Sequence, residues 1–123
     1  MDSDPGLLGT FFGHQIAMKM FHFQTKSYGA HKAVDAYADT FGNNFDRFME
    51  VAQGELGDLK SLKQLSLKVN LVTDQTVMTH LDVMIEFLRA IELNGEALSS
   101  ELDGVRGEMV AEIQKLKYLL RKQ

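Results

Sequence analysis

The sequence predicts an all-α protein in which residues 1–123 form a single domain that folds as a four-helix bundle. Apolar residues recur every three or four positions in four segments, as they do on the buried face of a helix. Pro5 is the only proline, so no proline interrupts a helix further along the chain. With 45% hydrophobic and 24% charged residues, the chain has the composition of ordinary globular domains and enough length for one core.

The first helix is expected over residues 5–25, with Pro5 at its first position. It is apolar on more than one side, which suits packing both within a bundle and against another subunit. The second helix is expected over residues 30–53, with Gly54 as its C-terminal stop. Its predicted core stripe consists of Val34, Tyr37, Phe41, Phe45 and Phe48.

The third helix is expected to be capped by Thr73 or Asp74 and to carry one apolar stripe. The residues of this stripe are Val77, Met78, Leu81, Met84, Ile85, Leu88 and Ile91. The Asn94-Gly95 pair predicts a tight turn, after which the fourth helix runs almost to the C-terminus. Gly104 and Gly107 lie inside the fourth helix and indicate either a close helix crossing or a bend.

Residues 55–73 form the one long connection in the predicted fold. The three-residue spacing of Leu56, Leu59 and Leu62 predicts a short helical turn. Extended structure is expected after it, because apolar residues alternate with polar ones at Leu65, Leu67, Val69 and Leu71. Such a connection reaches about 60 Å when extended, whereas the second helix is about 36 Å long. It is therefore long enough to cross back along the bundle between the second and third helices.

Charge and composition narrow the class of protein. The net charge of −4 argues against DNA as a partner, because phosphate binding needs a basic surface or tail. The basic residues near the C-terminus equally suit the last turns of a helix; they are Lys115, Lys117, Arg121 and Lys122. The sequence has no cysteine, no long apolar run and no recognisable signal peptide. A cytoplasmic location without membrane association is therefore expected.

Five residues form a pattern that packing alone does not require: His22, His31, Asp35, Asp46 and Glu50. His31 and Asp35 are four residues apart, as are Asp46 and Glu50, so each pair lies on one face of a helix. A rotation of about 100° per residue places all four in one stripe of the second helix. Imidazole and carboxylate ligands suit iron, manganese or zinc, and clustered acids are buried only when paired or bound to metal. The pattern therefore predicts a metal site.

The two pairs cannot reach one metal ion from a single helix. Asp35 and Asp46 are separated by about 16 Å along the helix axis, whereas metal–ligand bonds are about 2 Å long. If two copies of the helix pack antiparallel about a two-fold axis, His31 and Asp35 of one copy face Asp46 and Glu50 of the other. The alternative is that the two groups are unrelated and that Asp46 and Glu50 belong to a solvated acidic face.

The same residues resemble the signature of the Dps family of mini-ferritins, within the ferritin-like superfamily. That signature runs His-Trp, Lys, His-x3-Asp, ten intervening residues and Asp-x3-Glu. The match here consists of His22-Phe23, Lys26, His31-x3-Asp35 and Asp46-x3-Glu50, with Phe23 in place of the tryptophan. Short proteins of this kind occur in viruses and phages. The resemblance covers about 30 residues closely and the four-helix layout loosely.

The resemblance implies a ferritin-like bundle with a ferroxidase site shared between subunits. His22, His31 and Asp35 would come from one subunit and Asp46 and Glu50 from its two-fold mate, acting as both metal ligands and catalytic residues. Such a site binds Fe²⁺ and oxidises it with O₂ or H₂O₂ for iron storage, detoxification and oxidative protection; zinc and manganese are the other candidate metals. The resemblance also implies a dodecameric shell. The alternative function is a metal-stabilised helical dimer or protein-interaction module without redox turnover.

Two further histidines, His14 and His80, are interpreted as core or surface residues and not as ligands. His14 lies roughly 80° round the first helix from His22. No glutamate stands three residues before His80 to complete the Glu-x2-His motif of di-iron ferritins. That absence favours a site between subunits over one inside each bundle.

Overall fold

The computed structural model describes residues 5–59 and 65–123 of the chain. Its helices are α1 (Pro5–Gln24), α2 (Tyr28–Leu56), α3 (Val77–Arg89) and α4 (Ser100–Arg121). The described residues contain no β-strand, only an isolated bridge between Leu93 and Glu96. For residues 5–59 and 65–123, the prediction of an all-α protein with four helices is confirmed.

The two ends of α2 follow from local hydrogen bonding and backbone geometry. At its start, the Ser27 hydroxyl accepts a hydrogen bond of 3.1 Å from the amide of Ala30. The predicted stop at Gly54 is wrong, because α2 continues through it to Leu56. Gly57 is the C-cap and has a positive φ of 94°. A helix ends readily where a glycine leaves the helical region, and Gly54 stays within it.

The start of α3 also differs from the expectation. Thr76, and neither Thr73 nor Asp74, is the N-cap residue. The carboxylate of Asp74 accepts hydrogen bonds from the hydroxyl of Thr25 at 2.6 Å and from the amide of Lys26 at 3.2 Å. Asp74 therefore ties the end of α1 to the turn that precedes α3.

The Asn94-Gly95 turn is confirmed. Asn94 and Gly95 have positive φ angles of 53° and 75°. Leu93 and Glu96 exchange two backbone hydrogen bonds of 3.0 Å across them. Asparagine and glycine tolerate the left-handed region that such a tight turn requires.

The core is built from aromatic and aliphatic side chains of all four helices. The five residues predicted as the core stripe of α2 are all buried, and so is the predicted stripe of α3 except for the half-buried Met78. Phe11 of α1 lies fully buried among aromatic rings. Its ring centroid is 4.8–6.1 Å from those of Phe41, Phe45, Phe48 and Phe87.

Contacts between helix ends define how α2 is oriented. It packs against both α1 and α4. The last turn of α1 meets the first turn of α2 through His22 and His31. Ser27, just before α2, donates a hydrogen bond to the side chain of Gln123, just after α4. The helix α2 is therefore antiparallel to both of its neighbours.

Helix α3 is also antiparallel to α1 and α4. Arg106, in the first half of α4, donates a hydrogen bond to the carbonyl of Arg89 at the end of α3. The Thr25–Asp74 hydrogen bond joins the end of α1 to the start of α3. Each of these pairs is therefore antiparallel as well.

The connection between α2 and α3 fits its prediction in part. Residues 65–72 contain no helix, as expected, with Leu65 and Val69 half-buried but Leu67 and Leu71 exposed. The helical turn predicted from Leu56, Leu59 and Leu62 is not seen at Leu59. Leu62 lies outside the described residues.

The two glycines of α4 do not mark a close helix crossing. Gly104 and Gly107 are exposed, and a Cβ atom added to either would meet no atom within 4 Å. The helix is continuous through both of them. Of the two alternatives for these glycines, the close helix crossing is therefore wrong, and the bend stays a prediction.

None of the helices in the described ranges combines the length and apolar character needed to cross a bilayer.

Candidate metal centre

His22 and His31 lie side by side where α1 ends and α2 begins. Their rings stack with centroids 3.8 Å apart and 18° between the ring planes. Nδ1 of His22 is 3.1 Å from the carbonyl oxygen of His31, and Nδ1 of His31 is 2.8 Å from the carbonyl oxygen of His22. The short link between α1 and α2 makes this exchange possible, because it brings the last turn of one helix against the first turn of the next.

These reciprocal hydrogen bonds determine which ring nitrogen carries the proton. A carbonyl oxygen only accepts, so Nδ1 of His22 and Nδ1 of His31 must both be donors. In the neutral imidazole, Nε2 then keeps a free lone pair. Metal-ligating histidines are usually held in this way, with the other N–H donated to a carbonyl or a carboxylate. Both rings therefore keep Nε2 available as a metal ligand.

Asp35 lies one turn beyond His31 on α2. Its Oδ1 atom is 4.0 Å from Nε2 of His22, which is too long for a direct hydrogen bond. The side chain of His22 is 12% exposed and that of Asp35 is 62% exposed, so the acid occupies the open side of the group. Two metal–ligand bonds of about 2 Å allow a separation of about 4 Å between ligand atoms. Within one chain, His22 thus lies against His31 and 4.0 Å from Asp35.

Asp46 and Glu50 lie apart from this group. Both are exposed on α2, and neither side chain makes a hydrogen bond or ion pair within the described ranges. Because α2 is unbroken from Tyr28 to Leu56, the axial separation of about 16 Å between Asp35 and Asp46 holds. Within one chain, the five predicted ligands therefore form two separate groups.

No set of three or more histidine, cysteine, aspartate or glutamate side chains is arranged to hold a metal ion in the part of the chain that the structure describes. His22 and Asp35 supply one pair of potential ligand atoms 4.0 Å apart, with the carboxylate of Asp35 on the exposed side.

Sequence reasoning missed a second polar cluster, which lies in the core. His14 is 2% exposed. Its Nε2 is 2.7 Å from the Tyr37 hydroxyl, and its Nδ1 is 2.9 Å from Nε2 of His80. The position of His14 between Phe11 and Met18 in an apolar stripe of α1 could have indicated burial. Nothing local in the sequence indicates its partners, since they lie on α2 and α3.

Burial keeps this cluster uncharged at neutral pH. Burial, with a smaller contribution from nearby His80, lowers the pKa of His14 to about 3. Burial also lowers the pKa of His80. Burial, followed by the negative charge of Glu112, raises the pKa of the Tyr37 hydroxyl. The cluster is therefore a chain of neutral hydrogen-bonding groups.

The protons of this chain have one favoured arrangement. If Tyr37 donates to Nε2 of His14, the Nδ1–H of His14 donates to Nε2 of His80, and His80 carries its own proton on Nδ1. In the opposite arrangement, the Tyr37 hydroxyl proton has no acceptor among the described residues, although that side chain is only 4% exposed. An unsatisfied buried donor costs about 1–3 kcal/mol. The chain therefore runs as donor to acceptor from Tyr37 through His14 to His80.

The fold and these groups describe an all-helical protein with an open histidine–carboxylate site at one end of α2. The chain belongs to the Family of unknown function (DUF5856), whose model matches residues 22–120. The matched range begins at His22 and includes all five predicted ligands. No curated protein and no solved structure matches the chain.

Proposed function

We propose that this protein is a Dps-like mini-ferritin that binds and oxidises Fe²⁺ at a ferroxidase site shared between two subunits. The observation that carries the proposal is the His22–His31 pair, whose Nδ1 atoms are both engaged by backbone carbonyls. This arrangement leaves both Nε2 lone pairs free, and Nε2 of His22 lies 4.0 Å from the carboxylate of Asp35. Neutral imidazoles next to a carboxylate form a site for a transition-metal ion such as iron.

An exposed apolar stripe on α1 supports the two-fold partner that the site needs. Phe12, Ile16 and Phe23 are all exposed, and a rotation of about 100° per residue places them on one side of the helix. Phe23 adjoins His22, with ring centroids 5.6 Å apart. Phe12 contacts Phe45, the residue before Asp46, with centroids 5.1 Å apart.

In this proposal the two half-sites lie at opposite ends of the same stripe. A two-fold axis near its middle exchanges its ends, which brings His22, His31 and Asp35 of one subunit toward Asp46 and Glu50 of the other. Burial of the exposed aromatic and aliphatic side chains provides the driving force for this association.

The helix directions support a ferritin-like topology. Because α1 and α4 are each antiparallel to both α2 and α3, the helices α2 and α3 run in the same direction. The connection between them must then return along the length of the bundle. A long crossover between the second and third helices is the arrangement of ferritin-like folds.

The proposed reaction treats iron as the substrate. Two Fe²⁺ ions each give one electron to H₂O₂, whose O–O bond breaks to leave two hydroxide ions. Alternatively, four Fe²⁺ ions and four protons reduce one O₂ to two water molecules. The carboxylates stabilise the Fe³⁺ product, and the histidines leave coordination positions open to the oxidant. We further propose that the two-fold dimers assemble into a dodecameric shell that stores the oxidised iron.

Mixing two inactive variants tests the shared site. Asp35→Asn and Glu50→Gln should each abolish iron oxidation, because each removes one carboxylate from both sites of a dimer. In a mixed dimer, both changes fall in one site and the other site is intact. After the two variants are unfolded together and refolded, half of the dimers are mixed, so the ferric absorbance should rise at about a quarter of the wild-type rate.

Asp58→Asn and Glu86→Gln are matched controls, because both acids are exposed and lie outside the predicted set. They should oxidise iron as the wild type does. A contrary result is that both single variants are folded and inactive while their mixture recovers no iron oxidation. That result would show that each site belongs to one chain. Wild-type oxidation no faster than in buffer would overturn the ferroxidase. If zinc then stabilises a dimer, the protein is the metal-stabilised helical dimer without redox turnover.

A further inference from the structure

A cavity of about 720 Å³ lies between α1, α3 and residues 66–72. None of the five predicted metal ligands lines it. Its volume falls within the range of about 300–1,000 Å³ that is usual for small-molecule sites. The cavity is therefore a second candidate site, independent of the proposed ferroxidase.

Three exposed apolar side chains lie at this cavity. Leu67, Leu71 and Val83 are exposed yet line it, together with the more buried Met84 and Phe87. Helix α1 contributes glycines at positions 6, 9 and 13, so that no side chain from these positions fills the space. The apolar surface suits a hydrocarbon group of a ligand, since covering it removes that surface from water.

The polar groups at the cavity favour a negatively charged ligand group. Lys68 and His80 line it, and no aspartate or glutamate does so among the described lining residues. This is notable in a chain with a net charge of −4. A cavity with a cation, hydrogen-bond donors and no acid is complementary to an anion.

The buried chain from Tyr37 through His14 determines what His80 offers to a ligand. Since Nε2 of His80 accepts from His14, its proton is on Nδ1 and is available as a donor. A carboxylate that accepts from this N–H strengthens the chain behind it, because each hydrogen bond polarises the next. A ligand at this position would therefore be coupled to Tyr37 and His14 in the core.

We propose that this cavity binds a small amphipathic carboxylate, with its hydrocarbon part against Leu67, Val83 and Phe87 and its carboxylate near Lys68 and His80. The ligand class is that of a medium-chain fatty acid. The apolar lining selects the hydrocarbon chain, and the lysine and the histidine select the acid over a neutral head group.

The test titrates decanoate and 1-decanol, below their aggregation limits, into the wild-type protein by calorimetry. Decanoate should bind saturably at one site per chain, and decanol should bind about tenfold more weakly because it lacks the charge. In protein with ¹³C-labelled methionine methyl groups, decanoate should shift the signal of Met84, which lines the cavity. The signal of Met109, which is buried on α4 away from the lining, should not move.

Lys68→Glu and Lys32→Glu form a matched pair, since both lysines are exposed and the two changes alter the net charge equally. Lys68→Glu should weaken decanoate binding about tenfold, while Lys32→Glu leaves it unchanged. Equal affinities for decanoate and decanol, or equal effects of the two variants, would overturn the carboxylate assignment. Absence of saturable binding, or a shift at Met109 without one at Met84, would overturn the site.

Discussion

At the scale of single residues, the four histidines form two pairs that differ in the partner of Nδ1. His22 and His31 donate Nδ1–H to each other's carbonyl oxygen, which leaves Nε2 free at a solvent-facing site. His14 and His80 bond to each other through their rings, and His14 uses its second nitrogen for Tyr37. The first pair therefore has lone pairs available to a metal ion, whereas His14 has none.

Burial of His14 should make the protein sensitive to acid. Its pKa is lowered to about 3 in the folded state, against the usual 6.5 when unfolded. Below pH 6.5 the unfolded chain binds a proton that the folded protein does not, so the free energy of unfolding is highest above pH 6.5 and falls as the pH drops toward 3. The loss from His14 should be up to about 1.4 kcal/mol per pH unit, measured by urea unfolding between pH 7 and 4.5.

A double variant, His14→Leu with Tyr37→Phe, is the control for this prediction. It removes both ends of one buried hydrogen bond, which costs less than removal of one partner alone. The free energy of unfolding of the double variant should fall less steeply with pH over the same range. Equal slopes for the two proteins would contradict the assignment of the acid sensitivity to His14.

At the scale of secondary structure, periodicity predicted the presence of each helix, whereas caps decided where the helices begin and end. The α2 stripe was predictable because a period of 3.6 residues depends only on local sequence. The C-terminal end of α2 was not predictable, because Gly54 and Gly57 are equally plausible stops. Only the backbone shows that Gly57 is the one with a positive φ. Asp74 was mistaken for a cap because its partners, Thr25 and Lys26, are far away in sequence.

The N-cap of α4 provides a test at this scale. Ser99 accepts a hydrogen bond of 3.2 Å from the amide of Leu102 and donates one of 2.8 Å to Glu55. Ser99→Ala should lower the free energy of unfolding by about 1 kcal/mol, because an amide of the first turn loses its acceptor. The neighbouring change Ser100→Ala removes no cap and should have an effect below about 0.5 kcal/mol. Equal losses in urea unfolding would show that the cap is not what stabilises this end.

At the scale of the whole molecule, the exposed stripe on α1 links the fold to the proposed assembly. Ile16 lies between Phe12 and Phe23 along this stripe. Ile16→Glu should place two carboxylates near the two-fold axis and so disrupt the dimer, which sedimentation would report as a smaller particle. Iron oxidation should fall as the dimer is lost. The helical circular dichroism should remain, because the side chain of residue 16 is exposed in the single chain.

Tyr118→Glu is the matched control, since Tyr118 is also an exposed apolar residue but lies on α4. It should leave both the particle mass and iron oxidation unchanged. A dimer that survives Ile16→Glu would place the interface elsewhere and would remove the argument that the two half-sites meet across this stripe.

The sequence by itself determined the all-α class, the buried stripe of α2, the turn at Asn94-Gly95 and the grouping of His31 with Asp35 and of Asp46 with Glu50. Each of these depends on spacing along one element or on the backbone preferences of adjacent residues. Only the tertiary structure decided that His22 and His31 exchange Nδ1–H bonds and that Tyr37, His14 and His80 form a chain through the core. These contacts join atoms on different helices, so they follow from how the helices pack and not from the period of any one of them.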